Sequence, residues 1–346
     1  MPGLIARGFV LLVTLALSAC GKAPLHQQEA FVFGTRVELL IAGLDEAQAR
    51  PAAAAVLREF DRLHRTYHAW QPSELSALND AIAAGKAQIV TPEMAALITD
   101  AQRIAAAGDA LFDPGIGGLV KLWGFQSDEF KAVLPDPVAL AAWRAQRPGI
   151  ADLRVDGLRV SSRRRLVALD FGGYLKGYAL DRAVDILRAH GVRNALINIG
   201  GNVMALGTKN GEPWRVGIQH PRQAGPLATV ALGDGEAIGT SGDYQRYFEL
   251  DGKRYCHVLD PRSGAPVMHT QALTVLISAR PAAGTLSDAA SKPLFIAGAA
   301  WPAMAARLAV TQVLRVDAGG HIQVSAALRP RLQFVGISAQ DVEIIP

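Results

Sequence analysis

Four carboxylates, a lysine and a set of glycine turns carry the chemistry open to this sequence. Asp170, Asp181, Asp243 and Asp288 each stand at the end of an apolar segment, and Lys176 stands where a helix begins, just after Gly172-Gly173. Carboxylates are hard oxygen ligands suited to magnesium, and an ammonium beside them neutralises phosphate. The glycines let a ligand approach the main chain, while a helix start offers unpaired N–H groups and the positive end of its dipole. Three further turns close apolar segments downstream: Asn198-Ile199-Gly200-Gly201-Asn202, Gly239-Thr240-Ser241-Gly242-Asp243-Tyr244 and the run from Tyr255 through His257 to Pro261. Singly, each carboxylate reads as a cap or turn residue. Together with Lys176 they point to a substrate carrying a pyrophosphate.

Other chemistries fit worse. Ser241 lacks the G-x-S-x-G spacing of a nucleophile elbow. Cys256 and His257 are adjacent, and neighbours in a strand point to opposite faces, so they would not meet as a dyad. The histidines do not fall at i, i+4 on a helix with an acidic partner, which leaves zinc unsupported.

The elements that must position these groups alternate without a regular βαβ period, which predicts α+β with mixed or antiparallel sheets and flanking helices. An apolar run at 166–169 predicts a strand leading into the glycine turn. The following helix carries Leu180, Val184 and Leu187 on one face and stops at Gly191. Upstream, 31–41 reads as a strand containing Phe33-Gly34-Thr35, and 45–67 as a helix whose Val56, Phe60, Leu63 and Tyr67 form a core stripe. Ser73 and Glu74 start a short helix ending at Asn79, and Thr91-Pro92 caps another that stops at Gly108. The glycine-rich aromatic stretch 111–125 would wall a flat apolar ligand, and 126–148 reads as a polar excursion. Farther on, 192–199, 214–219 and 272–279 read as strands, Asp251-Gly252 as a hairpin turn, and 286–298 as a helix bent or interrupted by Pro293.

With 346 residues, 50% of them hydrophobic, the chain can bury a large core. Residues 1–19 read as a bacterial lipoprotein signal, with Arg7, an apolar run and Leu17-Ser18-Ala19 before Cys20, which becomes the lipidated first residue. Residues 20–29 are then a tether and 30–346 the folded domain. Cys256 is left as the sole thiol, so no intramolecular disulfide is expected. Removing Arg7 takes the basic residues from 35 to 34 against 31 acidic, a scattered excess that excludes nucleic acid as a partner.

Over residues 30–336 the sequence resembles the ApbE family of periplasmic FAD:protein FMN transferases. The matching motifs are Gly34-Thr35, Ser73-Glu74-Leu75-Ser76-Ala77-Leu78-Asn79, Phe112-Asp113 with Leu122-Trp123-Gly124-Phe125, the run from Asp170 to Asp181, Asn198 to Asn202, Thr240 to Tyr244 with His257 to Pro261, and Ser287-Asp288-Ala289. The resemblance implies an ApbE-like, T-fold-like architecture. It also implies transfer of FMN from FAD, through a phosphoester bond, to a Thr or Ser hydroxyl of an acceptor flavoprotein domain, with AMP released. The isoalloxazine would lie against Phe33, Trp70 and Leu111-Phe112-Asp113, with Asp170, Lys176 and Leu259 also contacting FAD. Mg²⁺ would be held at Gly173 and Asp288, and His257 would be the base or orienting group. The protein would be periplasmic, held to a membrane through Cys20. One departure stands out: where the family usually carries threonine as a metal ligand, this chain has Lys292, so Ser291, water or the lysine itself must fill the gap. FAD hydrolysis to FMN and AMP, or flavin binding without catalysis, are the alternatives.

Overall fold

The computed structural model describes residues 24–127 and 129–346, so Arg7 and Cys20 lie outside the described residues. Nine strands form one sheet: β1 (Leu25–Val32), β2 (Thr35–Ala42), β3 (Ala195–Ile199), β4 (Asn202–Leu206), β5 (Ala237–Gly242), β6 (Thr270–Ile277), β7 (Gln312–Asp317), β8 (Ile322–Ser325) and β9 (Val342–Ile345). They lie side by side in chain order, each antiparallel to the last except the parallel pair β8–β9. The class is α+β with a mixed sheet, as the irregular alternation predicts.

Helices occupy the long connections. Between β2 and β3 come α1 (Glu46–Thr66), α2 (Glu74–Ala83), α3 (Pro92–Ala107), α4 (Gly117–Leu122), α5 (Pro137–Gln146) and α6 (Leu175–Ala189). Between β6 and β7 come α7 (Ala283–Ala297) and α8 (Trp301–Arg307). Side-chain alternation gives the central strands two buried faces. In β4, Met204 and Leu206 join the core under α1, α6 and α7, while Val203 and Ala205 join a second core against the strands Trp214–Gln219 and Pro226–Leu232. A third, aromatic cluster holds Trp123, Phe125, Trp143, Phe248 and Leu259.

Four expectations change. The stretch 31–41 is two strands folded over Phe33-Gly34, both at positive φ (57° and 68°), the geometry of a tight hairpin turn. Pairing with β2 draws Leu25–Glu29 out of the expected tether and into β1. No strand forms at 166–169: Ala168 makes a single bridge to Ile116, and the Asn79 amide takes a strand partner's place by accepting from the Leu169 N–H (2.7 Å) and donating to its carbonyl (2.9 Å). Within 126–148, Asp136 accepts from Val138 and Ala139 N–H and caps α5, with Pro137 at its first position.

Candidate active site

The site forms at one end of the sheet, where α6 starts and α7 crosses it. Asp170 Oδ1 accepts the Gly172 N–H (2.7 Å), tightening the turn, and Lys176 Nζ donates to the Gly172 carbonyl (2.9 Å). The helices can touch here because both lack side chains at the crossing: a Cβ on Gly177 would lie 2.4 Å from the Gly284 carbonyl oxygen and 2.7 Å from Asp288 Cβ. That approach lets the Gly177 N–H donate to Asp288 Oδ2 (2.9 Å). Behind α7, Gly239 of β5 serves the same purpose, since a Cβ there would be 2.2 Å from the Ser287 carbonyl oxygen.

Lys292 stands one turn beyond Asp288 on α7. Its ammonium pairs with Asp288 Oδ1 and donates to the Asp288 carbonyl (2.9 Å), and its stem lies on Gly173, where a Cβ would be 3.2 Å from Lys292 Cε. The Asp288 carboxylate is fully buried and the Lys292 side chain 17% exposed. Burial alone would raise the Asp288 carboxyl, but the Lys292 and Lys176 ammoniums hold it down to about 2, so it is an anion at any physiological pH.

His257 follows the hairpin formed by Tyr247–Leu250 and Lys253–Cys256. Its Nδ1 lies 3.2 Å from the Arg246 carbonyl oxygen. A carbonyl only accepts, so this contact places the ring proton on Nδ1 and leaves the Nε2 lone pair available. Burial, then the Arg246, Lys176 and Lys292 charges, push its pKa down to about 3. The Lys176 and Lys292 ammoniums thus act electrostatically on His257. Its neighbour Cys256 faces the interior, bonded to the Val258 and Val267 carbonyls and pushed up to about 12 by burial, so the two do not act as a pair.

The chain matches the ApbE family over residues 33–314. The chain belongs to the ApbE family. A Rhodobacter capsulatus FAD:protein FMN transferase is 40% identical over 96% of this chain, which spans 62% of that relative's length. A Klebsiella pneumoniae FAD:protein FMN transferase is 34% identical, over 76% of this chain and 79% of the relative. The crystal structure of the ApbE protein from Thermotoga maritima superposes with a TM-score of 0.81 at 30% identity, over 89% of this chain and 99% of that one.

Magnesium, which the ApbE resemblance implies, does not fit the residues present. Both Asp288 oxygens are engaged, one by the Gly177 N–H and one by Lys292, whose stem fills the space beside Gly173. Mg²⁺ demands near-ideal octahedral oxygen coordination and would have to evict an ammonium while a second, Lys176, repels it. Ser291 supplies no replacement: its hydroxyl is buried, bonded to the Asp288 carbonyl and to Ser241 Oγ (both 2.8 Å). Among the described residues no group of three or more His, Cys, Asp or Glu side chains is placed to hold a metal ion.

Other sequence-derived residues take different places. The other two carboxylates also have structural partners: Asp181 accepts from Gly284 N, Thr285 N and Thr285 Oγ1 at the start of α7, and Asp243 forms a two-pronged pair with Arg222 (2.7 and 2.6 Å). Leu111 and Phe112 are buried in the main core, with the Phe112 ring stacked on Tyr174 at 6.1 Å, so their side chains do not form an open wall. Asp113 Oδ1 binds the Gly115 and Ile150 N–H groups (2.7 and 2.8 Å), tying two loops together, and burial lifts its pKa to about 6. Leu259 lies inside the aromatic cluster. Phe33 is half-buried at the hairpin tip, its ring 5.9 Å from both Phe60 and His64, and His64 in turn meets His68. Trp70, also half-buried, follows two residues later, its backbone N–H donating to His68 Nδ1.

Sequence reading gave no role to Arg246, whose carbonyl sets the His257 tautomer and whose guanidinium donates to the Phe125 carbonyl (2.9 Å). Nor did it single out the Asn202 side chain, whose buried Nδ2 has no partner while its Oδ1 accepts from Thr240 N (3.3 Å). Its place directly after Gly200-Gly201 was the available signal.

Proposed function

We propose that this chain transfers the FMN half of FAD to a Thr or Ser hydroxyl of an acceptor flavoprotein and releases AMP. The observation that carries this is the seating of two lysines on adjacent residues of a glycine-lined helix start, Lys176 Nζ on the Gly172 carbonyl and the Lys292 stem on Gly173. The relatives named as FAD:protein FMN transferases support it.

The FAD pyrophosphate would lie across the α6 N-terminus with Lys176 and Lys292 neutralising its charge. The acceptor hydroxyl attacks the phosphorus on the FMN side and gives its proton to His257 Nε2. The new P–O bond joins FMN to the acceptor, while the bond to the bridging oxygen breaks and its electron pair leaves with AMP. Unliganded, His257 is held neutral first by burial and then by the Arg246, Lys176 and Lys292 charges. A pyrophosphate dianion among those cations raises the affinity of Nε2 for a proton at the moment one must be taken. As in other phosphoryl transfers, positioning and charge stabilisation supply most of the rate.

Incubating the purified chain with FAD and a membrane-protein extract tests this. AMP should appear in step with a protein band that keeps flavin fluorescence after denaturation. AMP and free FMN without such a band would favour hydrolysis by water instead.

The same reading includes a membrane anchor at Cys20 and a periplasmic location. No helix among the described residues is long and apolar enough to cross a membrane, so the attachment proposed is the lipid. With β1 starting at Leu25, the chain from Cys20 can reach at most about 17 Å, which keeps the domain close to the bilayer and favours a membrane-associated acceptor. Cys20→Ser should move the protein from the detergent phase to the aqueous phase in a phase-partition assay; equal partitioning of the two forms would remove the lipid from the proposal.

A further inference from the structure

We propose that Lys292 is the resident cation of this site, binding the FAD pyrophosphate directly in place of a divalent metal. This rests on the flavin-transfer reading above and concerns which group neutralises the phosphates.

An ammonium has three N–H donors and no acceptor. Lys292 uses its donors on Asp288 Oδ1 and the Asp288 carbonyl oxygen, which leaves one for a ligand. Lys176 uses one on the Gly172 carbonyl, which leaves two. The groups that fix Lys292 are themselves fixed: Asp288 is fully buried and anchored by the Gly177 N–H, and the Lys292 stem rests on Gly173. The cation therefore sits between Gly173 and Asp288, next to the helix N-terminus where the phosphates bind. Asp288 keeps protonated a lysine that burial would otherwise neutralise, so the pair holds an ammonium donor ready for phosphate without recruiting an ion from solution.

The test measures FAD binding to the purified protein by quenching of flavin fluorescence, with EDTA or with MgCl₂, alongside AMP release. Wild type should bind FAD with the same affinity, within about twofold, in both conditions. Lys292→Met should lose about tenfold or more in EDTA, since a charged hydrogen bond to phosphate is gone. Because that change strands the Asp288 carboxylate, the double variant Asp288→Asn, Lys292→Met is measured beside it and should show the same loss, with a native circular-dichroism spectrum. Lys292→Thr frees Asp288 for a metal and should bind FAD more tightly in MgCl₂ than in EDTA. Wild-type affinity that rises about tenfold with MgCl₂, or a folded double variant binding as well as wild type in EDTA, would overturn the assignment of Lys292. If wild type binds FAD in neither condition, the flavin reading itself falls, and the assignment falls with it.

Discussion

His257→Asn is expected to slow AMP release from FAD by roughly two to four orders of magnitude, the usual contribution of a positioned general base. Asparagine can preserve the bond to the Arg246 carbonyl and much of the ring's volume, but its amide offers no basic lone pair where Nε2 stands. FAD affinity should change little, because the phosphates are held by the lysines. A loss in binding equal to the loss in rate would make His257 a substrate-orienting group. A second readout follows from pH. In the folded, unliganded protein the ring gains a proton only near pH 3, whereas in the unfolded chain it does so near the ordinary value of 6.5. Between those values the unfolded state binds the extra proton, so this group's contribution to stability is fully present above pH 6.5 and is lost as pH falls toward 3. Thermal melts at pH 7.5 and pH 5 should therefore show wild type losing more melting temperature on acidification than His257→Asn. Equal losses would mean the ring is not held neutral by the burial and charges described.

What could be read from the sequence was whatever one segment settles by itself. The α1 stripe of Val56, Phe60 and Leu63 is fully buried, and Thr91-Pro92 caps α3 through the Met94 N–H. The partners of the carboxylates were not local. Nothing near Asp243 announces Arg222, and nothing near Asp113 announces the Ile150 N–H. The same holds for Asn79, which substitutes for a strand beside Leu169. The Phe33-Gly34 turn escaped because a phenylalanine at positive φ is disfavoured locally and is held by its packing on Phe60 and His64. Lys292 and Asp288 are a visible i, i+4 pair, yet the meaning of that pair depends on Gly177 and Gly284, which bring α6 against it from more than a hundred residues away. Packing across long separations turned a surface-type ion pair into a buried one at the end of a helix.

Lys176→Met should lower kcat/KM for FAD by about two to three orders of magnitude, the scale on which removing a preorganised charge or donor from a phosphoryl or oxyanion site is felt. The predicted effect on stability is small. Lys176 bonds a backbone carbonyl rather than a carboxylate and repels the Lys292 ammonium, whose affinity for its proton it lowers together with that of His257. At this helix start Lys176 therefore feels both the Lys292 ammonium and the Asp288 carboxylate, which offset each other until a bound polyanion adds net attraction. Removing Lys176 should leave the melting temperature nearly unchanged in the absence of FAD, while abolishing most of the stabilisation that added FAD gives wild type. Lys176→Arg keeps the charge and should recover part of both binding and rate, although its planar fork cannot reproduce the compact bond to the Gly172 carbonyl. A Lys176→Met protein that melts well below wild type and gains as much from FAD would assign this lysine to the fold rather than to the phosphates.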